Sequence, residues 1–141
     1  MGFVSARKVT LPAVVGILIA SSGFGASAED YCSLKTLKGS YTYSNQGFRE
    51  GQPYASSGIM SFDGAGKVWN IYTSSVERKQ LSTKGTYAVE GNCTGSIAFD
   101  TGSVNHLYLN PTGDNFNFMR ASKEAVIGSE ARRVSHELIV K

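Results

Sequence analysis

From Gly39 onward the chain alternates short runs of strand-forming residues with polar turns. Turn signals recur about every ten residues, a spacing typical of all-β sandwiches and barrels. The predicted strands span residues 39–48, 55–62, 67–76, 81–89, 94–100, 104–109, 115–121 and 127–134. The short loops favour antiparallel neighbours, because parallel pairs need long crossovers. A short helical turn is predicted within 31–39, and the tail 135–141 is predicted to fray, with a last strand as the alternative.

Eight antiparallel strands can close into an up-and-down barrel or split into a sandwich. Closure removes exposed sheet edges, and a barrel of about eight strands can hold one small ligand. Glycines within the predicted strands suit the bends that closure requires. They are Gly58, Gly85, Gly95 and Gly128. We therefore predict an all-β, eight-stranded antiparallel up-and-down barrel, with the sandwich as the alternative.

Residues 1–28 have the pattern of a secretory signal peptide. Arg7 and Lys8 form a basic start, a short apolar stretch follows, and Ala-Ser-Ala precedes Glu29. An uncleaved anchor is the alternative, but the apolar stretch is short for a bilayer core of about 30 Å. We expect cleavage before Glu29, a single domain at 29–141 without a membrane span, and export to the periplasm or the medium.

Charge and cysteine content narrow the function classes further. Two of the 14 basic residues lie in the predicted leader, which leaves 12 against 11 acidic residues. Such a balance offers no basic surface for nucleic acid, so we expect no nucleic-acid partner. Cys32 and Cys93 form an even pair in an oxidising compartment and predict one disulfide. A metal or redox pair would need a CxxC spacing or nearby histidines, so we expect no metal and no cofactor.

The segment Phe62-Asp63-Gly64-Ala65-Gly66-Lys67 has the composition of a binding loop. A phosphate loop would need glycine at position 61 and a hydroxyl at 68, where the chain has Ser61 and Val68. A calcium loop would need alternating acidic residues, and only Asp63 is acidic. The segment is therefore predicted to be a hairpin turn capped by Asp63. At a barrel mouth, Asp63 would also meet a ligand.

His106 is a candidate catalytic residue in the sixth predicted strand. It shares a strand face with Val104 and Tyr108. Histidine changes charge near neutral pH, so His106 suits a general base or a ligand contact inside a barrel. The alternative is a surface histidine.

Charged residues near the end of the chain form a second candidate group. Glu130 and Arg132 are two residues apart on one strand and share a face. Arg120 shares its strand face with Phe116 and Phe118. Facing inward, these groups would line a cavity; facing outward, they would form a solvated rim. The pattern leaves both arrangements open.

The third predicted strand has apolar residues on both faces. Val68 and Tyr72 lie on one face, and Trp69 and Ile71 lie on the other. An apolar outer face is most simply covered by another subunit, which predicts a homo-oligomer.

Four segments carry a resemblance to a known group of proteins: LKGSYTYSNQG, GIMSFDGAGKV, KGTYAVEGNCTGSIAF and GSEARRV. Together they resemble small exported bacterial proteins with barrels of the allene oxide cyclase and lipocalin type, over 34–134. A secreted pyocyanin demethylase, a trimeric cofactor-free enzyme, looks like a distant member of this group. The resemblance implies acidic, histidine and tyrosine side chains around a flat aromatic substrate, here His106 and Glu130 with Tyr108.

Three functions follow as hypotheses. The first is a barrel that binds a small aromatic or lipophilic molecule. Its predicted ligand contacts are Tyr108, Phe118, Arg132 and Asp63. The second is a cofactor-free enzyme that uses His106 and Glu130 for proton transfer. The third is a structural envelope protein whose interior is filled by side chains.

Overall fold

Eight strands close into an antiparallel barrel in the computed structural model, which describes residues 29–141. The strands are β1 (Lys38–Arg49), β2 (Gln52–Asp63), β3 (Lys67–Ser74), β4 (Gln80–Val89), β5 (Thr94–Phe99), β6 (Val104–Leu109), β7 (Asn115–Ala121) and β8 (Ala125–Ser135). A 3-10 turn, Leu34–Thr36, precedes them. Each strand pairs with its neighbours in sequence, and β8 pairs with β1. The predicted up-and-down barrel is confirmed, and the signal peptide predicted at 1–28 lies outside the described residues.

The first hairpin is tighter than the sequence indicated. Glu50 and Gly51 form a two-residue turn with φ of 52° and 75°. Positive φ at both central residues matches the twist of a hairpin, so the strands continue to the turn itself. Strand β2 therefore begins at Gln52, with Pro53 opposite Phe48, and the predicted start at residue 55 is wrong.

Aromatic rings fill the lower half of the barrel, the half nearest the 3-10 turn. Tyr41, Phe62 and Phe116 are almost completely buried and meet edge to face, with centroids 5.2 to 5.6 Å apart. Tyr87 adds another edge contact to Phe62 at 5.1 Å. Edge-to-face geometry is favourable for aromatic rings, and each ring buries a large apolar area. This half is a packed core.

The 3-10 turn closes the lower end. The Tyr87 hydroxyl contacts the carbonyl oxygens of Leu34 and Leu37, each at 2.9 Å. The disulfide between Cys32 and Cys93 ties the same segment to the turn between β4 and β5. The predicted disulfide is thus confirmed, and it holds a cover on one end of the barrel.

Arg133 completes this closure from β8. Its guanidinium donates to the Tyr41 hydroxyl at 2.9 and 3.1 Å and to the Thr36 carbonyl at 3.1 Å. It also lies over the Tyr41 ring, 5.4 Å from the centroid. The Tyr41 hydroxyl in turn donates to the Gly113 carbonyl at 2.6 Å. These bonds satisfy the polar groups that closure buries.

The C-terminal tail is docked rather than frayed. The backbone N–H groups of Ile139 and Val140 donate to the hydroxyls of Ser40 and Ser61, at 2.8 and 3.0 Å. Val140 is buried against the outside of β1 and β2. The prediction of a frayed tail is wrong, because two serines that face outward from the sheet supply its hydrogen bonds. No helix within 29–141 has the length and apolarity needed to cross a membrane.

Candidate functional site

The upper half of the barrel contains a cavity of about 380 Å³. This half carries the turns that follow β1, β3, β5 and β7, opposite the covered end. A cavity of this size lies within the range of small-molecule sites, about 300–1,000 Å³. The barrel is therefore packed at one end and hollow at the other.

Polar side chains face the cavity because each lies two or four residues from a core position on its own strand. Asn45 follows Tyr41 and Tyr43 at two-residue steps along β1, so all three face inward. Asn70 occupies the equivalent phase in β3, and Asn105 occupies it in β6, two residues before Leu107. The three asparagines are buried and line the cavity. The interior thus changes from aromatic to polar along its axis.

Hydrogen bonds fix two of these amides. The Tyr43 hydroxyl donates to Asn70 Oδ1 at 3.0 Å, and the Ser56 hydroxyl donates to Asn45 Oδ1 at 2.6 Å. Both amide oxygens are occupied, while the Nδ2 groups have no partner within 29–141. An amide NH₂ offers two donors, so the cavity presents free donors to an occupant.

One hydroxyl of the cavity wall has no partner. Thr83 Oγ1 is buried and makes no hydrogen bond in the described part of the chain. A buried hydroxyl without a partner destabilises the fold by about 1–3 kcal/mol. The unpaired Thr83 hydroxyl is therefore expected to lower the free energy of unfolding.

Two tyrosines of the cavity, Tyr43 and Tyr72, have raised pKa values. Burial raises the pKa of Tyr43, against the opposing effect of its hydrogen bond with Asn70. Burial also raises the pKa of Tyr72, and the neighbouring Tyr54 adds to the rise. Both hydroxyls therefore stay neutral to a higher pH than an exposed phenol does.

Charged side chains are confined to the mouth. Glu77 pairs with Arg49 at 3.3 Å and accepts a hydrogen bond from the Ser74 hydroxyl. The bond from Ser74 is the main reason that the pKa of Glu77 is lowered, and Arg49 contributes. Arg120 also lines the cavity, and no carboxylate within 29–141 lies within 4.0 Å of its guanidinium. The mouth therefore carries one compensated and one uncompensated arginine.

Four of the predicted site residues lie on the outside of the barrel. His106 and Tyr108 point outward from β6, because Asn105 and Leu107 take the inward positions. Glu130 and Arg132 point outward from β8 and pair with each other at 3.1 Å, in the arrangement of a solvated rim. Neither His106 nor Glu130 reaches the cavity, which corrects the interior position considered for them. A catalytic role for the pair stays a prediction, and it would require a site on the outer face.

The other two predicted contacts lie at opposite ends. Phe118 is buried and forms part of the cavity wall, edge to face with Tyr43 at 5.4 Å. Asp63 is at the closed end, where its Oδ1 accepts the N–H groups of Ala65 and Lys67 at 2.8 and 2.9 Å. Asp63 therefore caps the hairpin, as predicted, and at the closed end it does not line the upper cavity in which a ligand contact was considered.

Sequence reasoning missed the asparagines, Thr83 and the ion pair at the mouth. The available signal was phase: Asn45 and Asn105 lie two residues from core positions on their own strands. A polar residue in phase with buried neighbours faces the interior. Without that comparison, an asparagine in a strand is predicted to lie on the surface.

Comparison with solved structures identifies small barrels. A de novo designed fluorescence-activating β-barrel matches with a TM-score of 0.51 and 12% identity, over 72% of this chain and 98% of its own. A redesigned β-barrel matches with a TM-score of 0.54 and 17% identity, over 77% of this chain and 98% of its own. The likeness shows the fold alone. A scan of protein-family models and a search of curated proteins gave no match.

Within 29–141, no group of three His, Cys, Asp or Glu side chains is placed to hold a metal.

Proposed function

We propose that this protein is an exported binding protein that holds one small, flat molecule in the upper cavity. The observation that carries the proposal is the division of the barrel into a packed lower half and an upper half with a cavity of about 380 Å³. A structural protein with a filled interior would have no such space. A preformed concave pocket with a few convergent polar groups is the usual form of a small-molecule site, so its presence favours a ligand.

The lining defines what the occupant must be. Apolar side chains cover part of the wall and suit the faces of an aromatic ring; they are Met60, Leu81, Ile97, Phe99, Phe118 and Ile127. The polar lining is larger, with three asparagines and several hydroxyls. A purely lipophilic molecule would leave these polar groups without partners. The ligand of this proposal is therefore an aromatic molecule that carries hydrogen-bonding groups.

Export and family type belong to the same proposal. The signal-peptide pattern of 1–28 and the disulfide between Cys32 and Cys93 both favour an oxidising compartment, which is the periplasm or the medium. The four quoted segments and the barrel fold support membership of the small exported barrels of the allene oxide cyclase and lipocalin type.

A homo-oligomer is a separate part of the proposal. Trp69 and Ile71 face outward from β3, and both remain only partly covered in the single chain. A second copy would bury them. Sedimentation of residues 29–141 at micromolar concentration tests this point, and a monomer alone would remove it.

Binding is tested by a thermal-shift screen of oxidised protein 29–141 with flat aromatic compounds. Compounds that raise the unfolding temperature of the wild type are then tested for the same shift in two variants of β6. Asn105→Phe fills the cavity and should abolish the shift, whereas His106→Phe adds the same ring to the outer face and should preserve it. Equal retention of the shift in both variants would place binding elsewhere and reject the cavity as the site.

A second cavity variant covers the case in which Asn105→Phe does not fold. Asn105→Leu keeps the volume of the side chain nearly constant but removes its amide from the cavity. It should weaken every hit that accepts a hydrogen bond there, by about tenfold for one neutral bond. If no compound class shifts the unfolding temperature of the wild type, the binding function is rejected.

A further inference from the structure

The charges around the cavity do not cancel. Glu77 is the single carboxylate among the lining residues, and Arg49 and Ser74 already engage it. Arg49 is further placed over the Tyr54 ring, 6.0 Å from its centroid. Arg120 remains as a cation without an anion, on an inward strand position. The lining therefore carries a net positive charge that a bound anion would neutralise.

Arg120 is placed beside the aromatic wall. It follows Phe118 by two residues on β7, so both side chains project from the same face, about 6.6 Å apart along the strand. Phe118 is the deeper of the two, because β7 runs from the packed end toward the mouth. A ring packed against Phe118 would direct a substituent toward the Arg120 guanidinium.

The hydrogen-bonding groups that remain free in the cavity are donors, which suit an anionic ligand. The oxygen atoms of Asn45 and Asn70 are occupied by hydroxyl donors, which leaves the amide N–H groups. The Tyr72 hydroxyl, whose pKa is raised by burial, adds a further donor, whereas the Tyr43 hydroxyl is already bonded to Asn70. The cavity thus offers donors and a cation, and a complementary ligand supplies acceptors and a negative charge.

We infer that the ligand is an aromatic carboxylate, with its ring against Phe118 and its carboxylate on Arg120. The inference rests on the proposed binding function and narrows it to a chemical class. A guanidinium donates two parallel hydrogen bonds to a carboxylate, which an uncharged carboxamide of the same shape cannot accept in that form. Charge, rather than size, is the property that this site selects.

The test compares naphthoate with naphthamide of the same substitution, by isothermal titration calorimetry on oxidised protein 29–141. Naphthoate should bind at least about tenfold more tightly, the expected effect of one charge-assisted contact. Arg120→Met should remove this preference and leave naphthamide binding unchanged. Arg132→Met is the matched control, because Arg132 lies on the outer face, and it should preserve the preference.

The outcomes separate the inference from the proposed function. Equal affinity for both compounds, or a preference that survives Arg120→Met, overturns the inference and leaves the binding function standing. No binding of either compound also overturns it, and the thermal-shift screen then decides the binding function separately. A preference that is lost in Arg120→Met and weakened by added salt supports it, because salt screens exposed charges.

Discussion

Removal of one hydroxyl from the cavity wall should stabilise this protein. Thr83 Oγ1 is buried without a partner among the described residues, and valine replaces threonine with almost the same shape. Thr83→Val therefore creates no void and removes an unsatisfied polar group. The unpaired group costs about 1–3 kcal/mol, so the free energy of unfolding should rise by about 1 kcal/mol or more. The unfolding temperature should increase by about 4 °C per kcal/mol in a domain of this size.

Another hydroxyl of the cavity wall supplies the opposite expectation. Ser56 donates to Asn45 Oδ1 at 2.6 Å in the buried part of the cavity. Ser56→Ala leaves that oxygen without its donor and should lower the free energy of unfolding by about 1 kcal/mol. The two substitutions each delete one hydroxyl from the same cavity, yet their effects should differ in sign.

Urea unfolding of residues 29–141, with the disulfide intact, measures both effects. The midpoint should rise for Thr83→Val and fall for Ser56→Ala at an unchanged slope, since an unchanged slope means that the same surface is exposed on unfolding. A loss of stability in Thr83→Val equal to that in Ser56→Ala would refute the reasoning. It would mean that the Thr83 hydroxyl has a partner in solution.

Three further predictions concern the closed end of the barrel. Replacing Cys32 and Cys93 by serine should lower the free energy of unfolding by about 4 kcal/mol in urea, because the bridge closes a loop between residues 61 positions apart. Arg133→Met should cost about 2–3 kcal/mol in the same assay, because the Tyr41 hydroxyl and a carbonyl lose partly buried, charge-assisted bonds. Burial raises the pKa of Tyr87 from 10.0 to about 12, so the stability that depends on the protonated phenol is complete below pH 10 and declines between pH 10 and 12. Urea midpoints across that pH range, together with a spectroscopic titration of the tyrosines, measure the decline.

Each of these predictions has its own control. Arg132→Met removes the adjacent arginine, whose side chain is 76% exposed, and should change stability by less than about 1 kcal/mol; equal losses for Arg132 and Arg133 would contradict the closure by Arg133. Reduction of the wild type should reproduce the double serine variant. Tyr87→Phe should make the alkaline decline shallower without abolishing it, because burial also raises the pKa of Tyr43 and Tyr72; an unchanged decline would assign it to those tyrosines.

The fold was largely predictable because its signals are local. Turn residues at regular spacing define the strands, and short loops impose antiparallel neighbours. The pair Glu50–Gly51 was misjudged, since positive φ at a glutamate is a property of the hairpin context and not of its intrinsic preference. The docked tail was missed for a similar reason: its partners, Ser40 and Ser61, are distant in sequence.

The site was less predictable, because its lining depends on which face of each strand points into the barrel. Choosing His106 and Glu130 required a face, and alternation alone leaves two equivalent choices. Burial of Leu107 and Ala131 at the neighbouring positions shows that His106 and Glu130 face outward, and a catalytic role for the pair stays a prediction. Phe118 does face the cavity, and its contact with a ligand stays a prediction.

The sequence by itself determined the strands, their antiparallel order, the disulfide partners and the turn at Asp63, because each depends on residue type and short-range geometry. Only the tertiary structure decided which face of each strand is interior and where packing stops. Packing depends on side chains from strands far apart in sequence: Tyr41, Phe62 and Phe116 meet only when the barrel closes. The cavity begins where such rings give way to asparagines, and that boundary follows from the register of eight strands together.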